Sequence, residues 1–207
     1  IDVMDYLGLF YKHNIGEVLT KQELLSFDIY SNVLWNIRLP RILLTFMVGA
    51  ALSVSGAVLQ GIFRNPLVDS YILGISSGAA FGASLAILYS LSFVNIYAFV
   101  GGIIAVVITY VIASSNKQLS TITVILSGMI VSGVFIALLT MVQYISNPYK
   151  LQTIIQWTMG NLHSASWAEV KQAVLPITLT VCCSFLYRWR LNLLALGDDA
   201  THAVGVN

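Results

Sequence analysis

The sequence predicts an all-α protein that crosses a membrane several times. Hydrophobic residues make up 57% of the chain and charged residues only 9%, whereas a soluble domain carries about 25% charge. The mean hydropathy is +0.84. No Asp, Glu, Lys or Arg occurs between Asp69 and Lys117, or between Lys117 and Lys150. Uncharged stretches of this length exceed one soluble core and indicate a polytopic transmembrane helical bundle.

The first predicted span is residues 42–63, which contain no charged side chain. At ~1.5 Å rise per residue this stretch extends ~33 Å, enough for a hydrocarbon core of ~30 Å. Arg38 and Arg41 precede it on either side of Pro40, and Arg64 follows it. The segment therefore reads as a membrane helix with a polar anchor at each end.

Hydropathy and helix-breaking residues together predict five spans. Asn65-Pro66 separates the first two, because proline cannot continue a helix and disfavours helical geometry in the residue before it. The predicted spans are 42–63, 71–91, 96–115, 119–145 and 170–187.

The remaining segments are predicted to lie outside the spans. Residues 150–168 are too short and too polar to cross a membrane, and they predict a short interfacial helix ended by Gly160. Trp157 and Trp167 would lie at the level of the lipid headgroups. Residues 6–11 predict the end of an earlier span. Residues 14–35 predict a segment on the aqueous side that contains a short helix. Orientation is weakly specified by charge, which favours a cytoplasmic location for the short loops after the first, third and fifth spans.

Small residues recur every four positions after the first span, at Gly74, Gly78, Gly82 and Ala86. On a helix they form one smooth stripe, and such stripes let membrane helices approach closely. Packing within the chain is the favoured interpretation, and a homodimer seam is the alternative.

No catalytic or metal-binding pattern is present. His13, His163 and His202 lie in predicted non-spanning segments, far apart along the chain, and are interpreted as solvated or interfacial side chains. Cys182 and Cys183 are adjacent, so on a helix their side chains point about 100° apart. The sequence therefore favours neither an enzyme nor a protein with a resident cofactor or metal.

The polar groups inside the spans limit the kind of transport that the chain could perform. Ion-coupled carriers typically place Asp, Glu, His or Arg within the membrane, whereas these spans contain none of the four and offer chiefly Ser, Thr, Gln60, Gln143 and glycine. Such a path suits a bulky compound that carries its own ligands and is moved by energy supplied elsewhere. A stand-alone secondary carrier or channel is the alternative.

Several motifs, in order along residues 15–207, strongly resemble the FecCD-type permeases of ABC importers. The first five segments are 35–41 (WNIRLPR), 48–52 (VGAAL), 55–60 (SGAVLQ), 65–67 (NPL) and 73–79 (LGISSGA). The later segments are 119–121 (LST), 126–128 (LSG), 157–162 (WTMGNL), 193–200 (LLALGDDA) and 204–206 (VGV). Each motif is weak alone, but their shared order is specific.

The resemblance implies a type II ABC importer permease fold with ten helices, of which this chain would hold about the first six. Residues 1–207 would form one permease domain, the chain being a fragment because it begins with Ile1. Members of the family take up iron–siderophore complexes, haem and vitamin B12 through the cell membrane. Their partners are separate ATP-binding cassette ATPases, an extracytoplasmic binding protein and a second permease copy or homologue. ATP hydrolysis would belong to the ATPase subunit, not to this chain.

The resemblance also implies roles for individual residues. Arg38 and Arg41 would form ion pairs with glutamates of the binding protein. Ile42 would start a helix at the external face. The alternative for the two arginines is snorkelling to the membrane interface. The cytoplasmic gate would consist of Asn65, Leu67, Ser120 and Thr121. A turn and a helix N-cap are the alternatives there. Residues 191–206 would form the loop that couples to the ATPase, and an ordinary interhelical loop is the alternative. Its contacts would be Leu196, Gly197, Asp198, Asp199, Ala200, Val204 and Gly205.

Overall fold

The computed structural model describes residues 3–15, 20–115, 120–162 and 165–196, and within these ranges it contains helices and no β-strand. The helices are α1 (Val3–Asn14), α2 (Lys21–Asn32), α3 (Leu39–Phe63), α4 (Ile75–Leu88), α5 (Val94–Ser114), α6 (Thr121–Ile145), α7 (Pro148–Met159), α8 (Trp167–Leu186) and α9 (Arg188–Leu196). In this part of the chain, four helical runs are long and apolar enough to cross a membrane: Lys21–Phe63, α5, α6 and α8.

The helix that contains the first predicted span does not begin at Ile42, contrary to the expectation from the family resemblance. A π-helical turn, Val33–Arg38, joins α2 to α3, so that one helical run continues from Lys21 to Phe63. Proline within an α-helix clashes with the carbonyl four residues earlier. The wider π turn immediately before Pro40 lets the chain pass this proline without ending the helix.

The second predicted span is shorter in the structure than residues 71–91. Helix α4 has 14 residues, or ~21 Å at ~1.5 Å per residue, which is less than a ~30 Å hydrocarbon core. It begins late because Gly74 adopts a left-handed conformation with φ of 77°. It ends early at a turn in which Ser90 and Phe93 also have positive φ. Apolar composition alone could not reveal these local breaks.

The other three predicted spans coincide with α5, α6 and α8 to within three residues at each end. The short helix predicted within residues 150–168 is α7, which ends at Gly160 in a positive-φ conformation (φ 76°). Its start is fixed by Asn147, whose Oδ1 accepts a hydrogen bond from the Lys150 backbone N–H at 2.9 Å. Pro148 follows at the first helical position, where its missing N–H costs nothing.

The chain divides into two compact units. The first comprises Ile1–Ala51 with Leu162–Cys182. Within it, α1 and α2 pair through Tyr6, whose ring stacks on Phe27 at 5.6 Å. An ion pair of 3.1 Å joins Lys12 to Glu23 on the same two helices.

The second unit comprises Leu52–Asn161 with Cys183–Asn207, and α4 lies at its centre. Helices α5 and α6 pack against α4 through small side chains; Ala83, Ala86 and Ala105 have no exposed surface. The rings of Phe81 and Phe135 meet at 5.7 Å between α4 and α6. This three-helix layer is the best-buried part of the unit.

Helix α7 closes one end of this layer. Ile154 is only 1% exposed and packs with residues of α4 and α6. The Lys150 ammonium donates a hydrogen bond to the Leu88 carbonyl at 2.5 Å. Carbonyls at a helix C-terminus carry partial negative charge and lack helical partners, so this cation both caps α4 and attaches α7 to it.

Candidate functional site

The two arginines predicted to dock a partner lie on the helical run of the first unit. Arg38 is exposed at the end of the π turn, and Arg41 is half-buried in the first turn of α3. Residues three apart are neighbours on a helix surface. The structure therefore places both guanidinium groups on one short stretch of helix.

The π turn leaves one backbone carbonyl without a helical donor. The Leu39 N–H donates to the Leu34 carbonyl, the five-residue spacing of a π-helix. At that spacing the Trp35 carbonyl would accept from residue 40, but Pro40 has no N–H. Instead, the indole Nε1–H of Trp167 donates to the Trp35 carbonyl at 3.0 Å.

The Trp167 hydrogen bond therefore holds the arginine-bearing turn against the start of α8. Apolar packing reinforces it, because Leu44, Ala165 and Val170 form a buried cluster next to the same turn. Sequence reasoning placed Trp167 at the lipid headgroups and missed this contact. The signal available was a proline within a helical run, which always leaves a carbonyl to be satisfied.

The first predicted gate segment is a tight turn after α3. Asn65 Oδ1 accepts a hydrogen bond from the Leu67 N–H at 3.0 Å, and Gln60 Nε2 donates to the Pro66 carbonyl at 3.0 Å. Leu67 is 87% exposed, whereas the adjacent Val68 is 1% exposed. Asn65 thus shapes the turn, and Leu67 is the side chain that the turn presents outward.

The second predicted gate segment is the N-terminus of α6. Ser120 is its N-cap, and Ser120 Oγ accepts a hydrogen bond from the Thr123 N–H at 3.1 Å. Thr121 is exposed at the first helical position. The structure places both segments in the second unit, and within its described residues no hydrogen bond joins one segment to the other.

The loop between α3 and α4 is anchored by hydroxyl groups. Ser70 and Ser55 share a hydrogen bond of 2.8 Å, which ties the loop to α3. Thr109 of α5 donates to the Leu73 carbonyl at 3.1 Å, and Thr109 is 1% exposed. Sequence reasoning did not single out these groups. A lone hydroxyl in an apolar span was the available signal, because the membrane offers it no water partner.

The predicted glycine stripe divides between two neighbouring helices. Gly78 and Gly82 face α5, where a Cβ on Gly78 would lie 2.5 Å from the Gly101 carbonyl oxygen. Gly74 is not part of this stripe. It is the N-cap of α4, and its surroundings are Val131, Ser132 and the Gly128 carbonyl of α6. Both sets of contacts lie within one chain.

A cleft of about 510 Å³ lies between α4, α6 and α7. It has hydroxyl groups along an otherwise apolar wall, and these belong to Tyr71, Ser76, Ser77, Ser132 and Thr158. No charged residue lines it. Such a wall can donate hydrogen bonds to a neutral surface but provides no group to transfer protons or bind an ion.

The described residues include no group of three or more His, Cys, Asp or Glu that could hold a metal ion. Cys182 and Cys183 are exposed free thiols on α8. Of the predicted ATPase-coupling residues, Leu196 ends α9, and its side chain is not described. Gly197, Asp198, Asp199, Ala200, Val204 and Gly205 lie outside the described residues.

Comparison with known proteins gives concordant matches. The sequence model of the FecCD transport family matches residues 7–207. A molybdate import system permease protein (MolB) of Haemophilus influenzae is 39% identical over 197 residues, covering 93% of this chain and 58% of MolB. A probable iron chelatin transport system permease protein of Helicobacter pylori is 40% identical over 191 residues, covering 91% of this chain and 57% of that protein.

Solved structures match as well, among them one described as an inward-facing conformation of a metal-chelate type ABC transporter. The TM-score is 0.79 at 39% sequence identity, over 87% of this chain and 58% of the other. The chain thus spans less than two thirds of the length of each of these three proteins.

Proposed function

Because this chain belongs to the FecCD transport family, we propose that it is the permease subunit of a binding-protein-dependent ABC importer for metal-chelate compounds, iron complexes first among them. With four helical runs apolar enough to span, it is a multi-pass protein of the cell membrane. It supplies the path and does not itself hydrolyse ATP. Its partners are ATP-binding cassette ATPase subunits, an extracytoplasmic binding protein and a second permease copy or paired homologue.

The observation that carries this proposal is the structural match at 39% identity over 87% of the chain. The chemistry of the described helices supports it, since α4, α5 and α6 contain no Asp, Glu, Lys, Arg or His. Helices of this composition offer no group to relay protons, which favours energy supplied by another subunit. The hydroxyl-lined cleft suits a chelate, whose metal charge is already surrounded by its own ligands.

The docking role of Arg38 and Arg41 rests on their geometry. The Trp167 hydrogen bond and the buried cluster around Leu44 fix the backbone that carries them. A fixed backbone lowers the entropy lost when a guanidinium pairs with a partner carboxylate. Bidentate Arg–carboxylate pairs then add direction as well as affinity.

The gate role belongs to Leu67 in particular, with Asn65, Ser120 and Thr121 in support. An 87% exposed leucine at the tip of a hydrogen-bonded turn can close an aqueous mouth by apolar contact with a second copy or another helix. Asn65 and Ser120 hold their local backbones through the Leu67 and Thr123 N–H groups. For the coupling loop, residues 191–206, the sequence motif alone supports an ATPase contact.

The test reconstitutes the full gene product in lipid nanodiscs with its cassette ATPase and binding protein, and measures the rate of ATP hydrolysis. We expect the binding protein to stimulate ATP hydrolysis. The Arg38→Glu/Arg41→Glu variant should weaken binding-protein affinity about tenfold or more at low salt, because two attractions become repulsions. Lys171→Glu, an exposed charge reversal on α8, is the matched control and should leave affinity unchanged.

An absence of any complex with the ATPase subunit would contradict the importer proposal. Equal affinity of the double arginine variant and the wild type would instead contradict only the docking assignment.

A further inference from the structure

An exposed aromatic and basic cluster lies across the end of α8 and the start of α9, at residues 185–190 with the sequence FLYRWR. Phe185, Tyr187 and Trp189 are 60%, 56% and 67% exposed. Arg188 and Arg190 are exposed as well. Three large, exposed aromatic rings this close in sequence indicate a binding partner that is partly apolar.

The two guanidinium groups are positioned by these rings. The Arg188 Cζ lies 4.2 Å from the centre of the Phe185 ring, and the Arg190 Cζ lies 5.9 Å from the centre of the Tyr187 ring. A guanidinium above a ring face keeps its N–H edge available. Neither arginine forms an ion pair with any carboxylate that the structure describes.

The position of the cluster along α8 identifies its surroundings. Helix α8 has 20 residues, or ~30 Å, and is apolar enough to cross a membrane. Residues 185–190 come at its end and therefore lie at one headgroup layer. Aromatic rings prefer that layer, since it is apolar on one side and wet on the other.

We propose that residues 185–190 bind the headgroup of an anionic phospholipid. The phosphodiester oxygens accept hydrogen bonds from the N–H edges of Arg188 and Arg190, and the three rings lie among the upper acyl carbons. Charge complementarity favours a lipid with net negative charge, such as phosphatidylglycerol, over zwitterionic phosphatidylcholine. This site shares no residue with the arginine turn or the gate segments, and it does not depend on the proposed transport function.

Native mass spectrometry of the full gene product in detergent tests the site, with phosphatidylglycerol and phosphatidylcholine added in equal amounts. The wild type should retain phosphatidylglycerol preferentially. The Arg188→Gln/Arg190→Gln variant should lose affinity for it roughly fivefold per arginine, the equivalent of about 1 kcal/mol for each basic residue at an anionic surface. Arg188→Lys/Arg190→Lys should keep part of that affinity, and Lys171→Gln near the start of α8 should keep all of it.

Three results would overturn the proposal. The first is a wild type without preference for phosphatidylglycerol, a measurement that requires no variant. The second is an equal loss in the Gln double variant and in Lys171→Gln. The third is unchanged lipid retention in a Gln double variant that no longer co-purifies with the ATPase subunit, which would make the cluster a protein contact instead.

Discussion

Thr109 shows how a single hydroxyl organises the second unit. It is buried within the apolar helix α5, yet it donates to a carbonyl in the loop that leads from the Leu67 turn to α4. An unsatisfied carbonyl at such depth is costly, because neither lipid nor packed side chains replace the missing donor. The loop is thus fixed to the bundle at Leu73, a few residues from the exposed leucine that we assign to the gate.

Thr109→Val should therefore destabilise the protein by about 1 kcal/mol, because valine keeps the volume but removes the donor. Thr140→Val is the matched control. Thr140 is exposed and bonds only to the Ile136 carbonyl of its own helix, so its loss should change the free energy of unfolding by less than about 0.5 kcal/mol. Unfolding in mixed micelles measures both, and equal effects would show that the Leu73 contact contributes no stability.

Gly78 and Gly133 differ in the space around them, although both lie within helices. A Cβ at Gly78 would lie 2.5 Å from the Gly101 carbonyl oxygen, whereas nothing lies within 4 Å of a Cβ at Gly133. Gly78→Ala should thus cost about 1–3 kcal/mol through overpacking. Gly133→Ala should be neutral or stabilise by up to about 1 kcal/mol through helix propensity. Thermal unfolding of the two variants in the same detergent distinguishes them, and a Gly78→Ala protein as stable as the wild type would contradict the close α4–α5 contact.

Among the structural elements, the helical run from Lys21 to Phe63 is the one whose geometry the sequence concealed. The family resemblance implied a helix start at Ile42, but the π turn at Val33–Arg38 lets the helix continue past Pro40. The donor that makes this possible, Trp167, lies far away in sequence. A non-local partner of this kind leaves no periodic signal, whereas α5, α6 and α8 followed directly from their apolar length.

Trp167→Phe tests this arrangement, because it removes the indole N–H and retains an aromatic ring. We expect a loss of about 1 kcal/mol in stability and faster amide exchange at residues 33–38. Pro40→Ala restores a backbone N–H that can satisfy the Trp35 or Asn36 carbonyl. In a Pro40→Ala background, Trp167→Phe should then cost less. Additive effects in this double-mutant cycle would show that the indole does not compensate for the proline.

The same reasoning applies to the short helix α4. The glycines at 74, 78 and 82 suggested one stripe, yet the left-handed φ of Gly74 separates it from the helix that follows. Backbone conformation at a single glycine depends on what packs around it, here α6. The sequence motif was enough to select the residues of the candidate gate. The exposure of Leu67 and the hydrogen bond from Thr109 that anchors its loop could be seen only in the folded structure.

At the scale of the whole molecule, helices α4, α5 and α6 form an apolar bundle that contains no Asp, Glu, Lys, Arg or His. The bundle around α4 is close-packed through small residues, its cleft offers hydroxyl groups only, and the described residues hold no metal-binding cluster. In the proposed importer, selectivity and energy come from the partner subunits. The family match over residues 7–207 is consistent with that proposal.

The most direct test of the importer proposal is uptake of a radiolabelled ferric chelate into proteoliposomes that contain the full gene product and the cassette ATPase. The binding protein is supplied outside the vesicles and ATP inside them. The proposal predicts uptake that requires both ATP hydrolysis and the binding protein, and that a proton or sodium gradient cannot replace. Uptake driven by such a gradient without the ATPase subunit would contradict it and identify the protein as a secondary carrier.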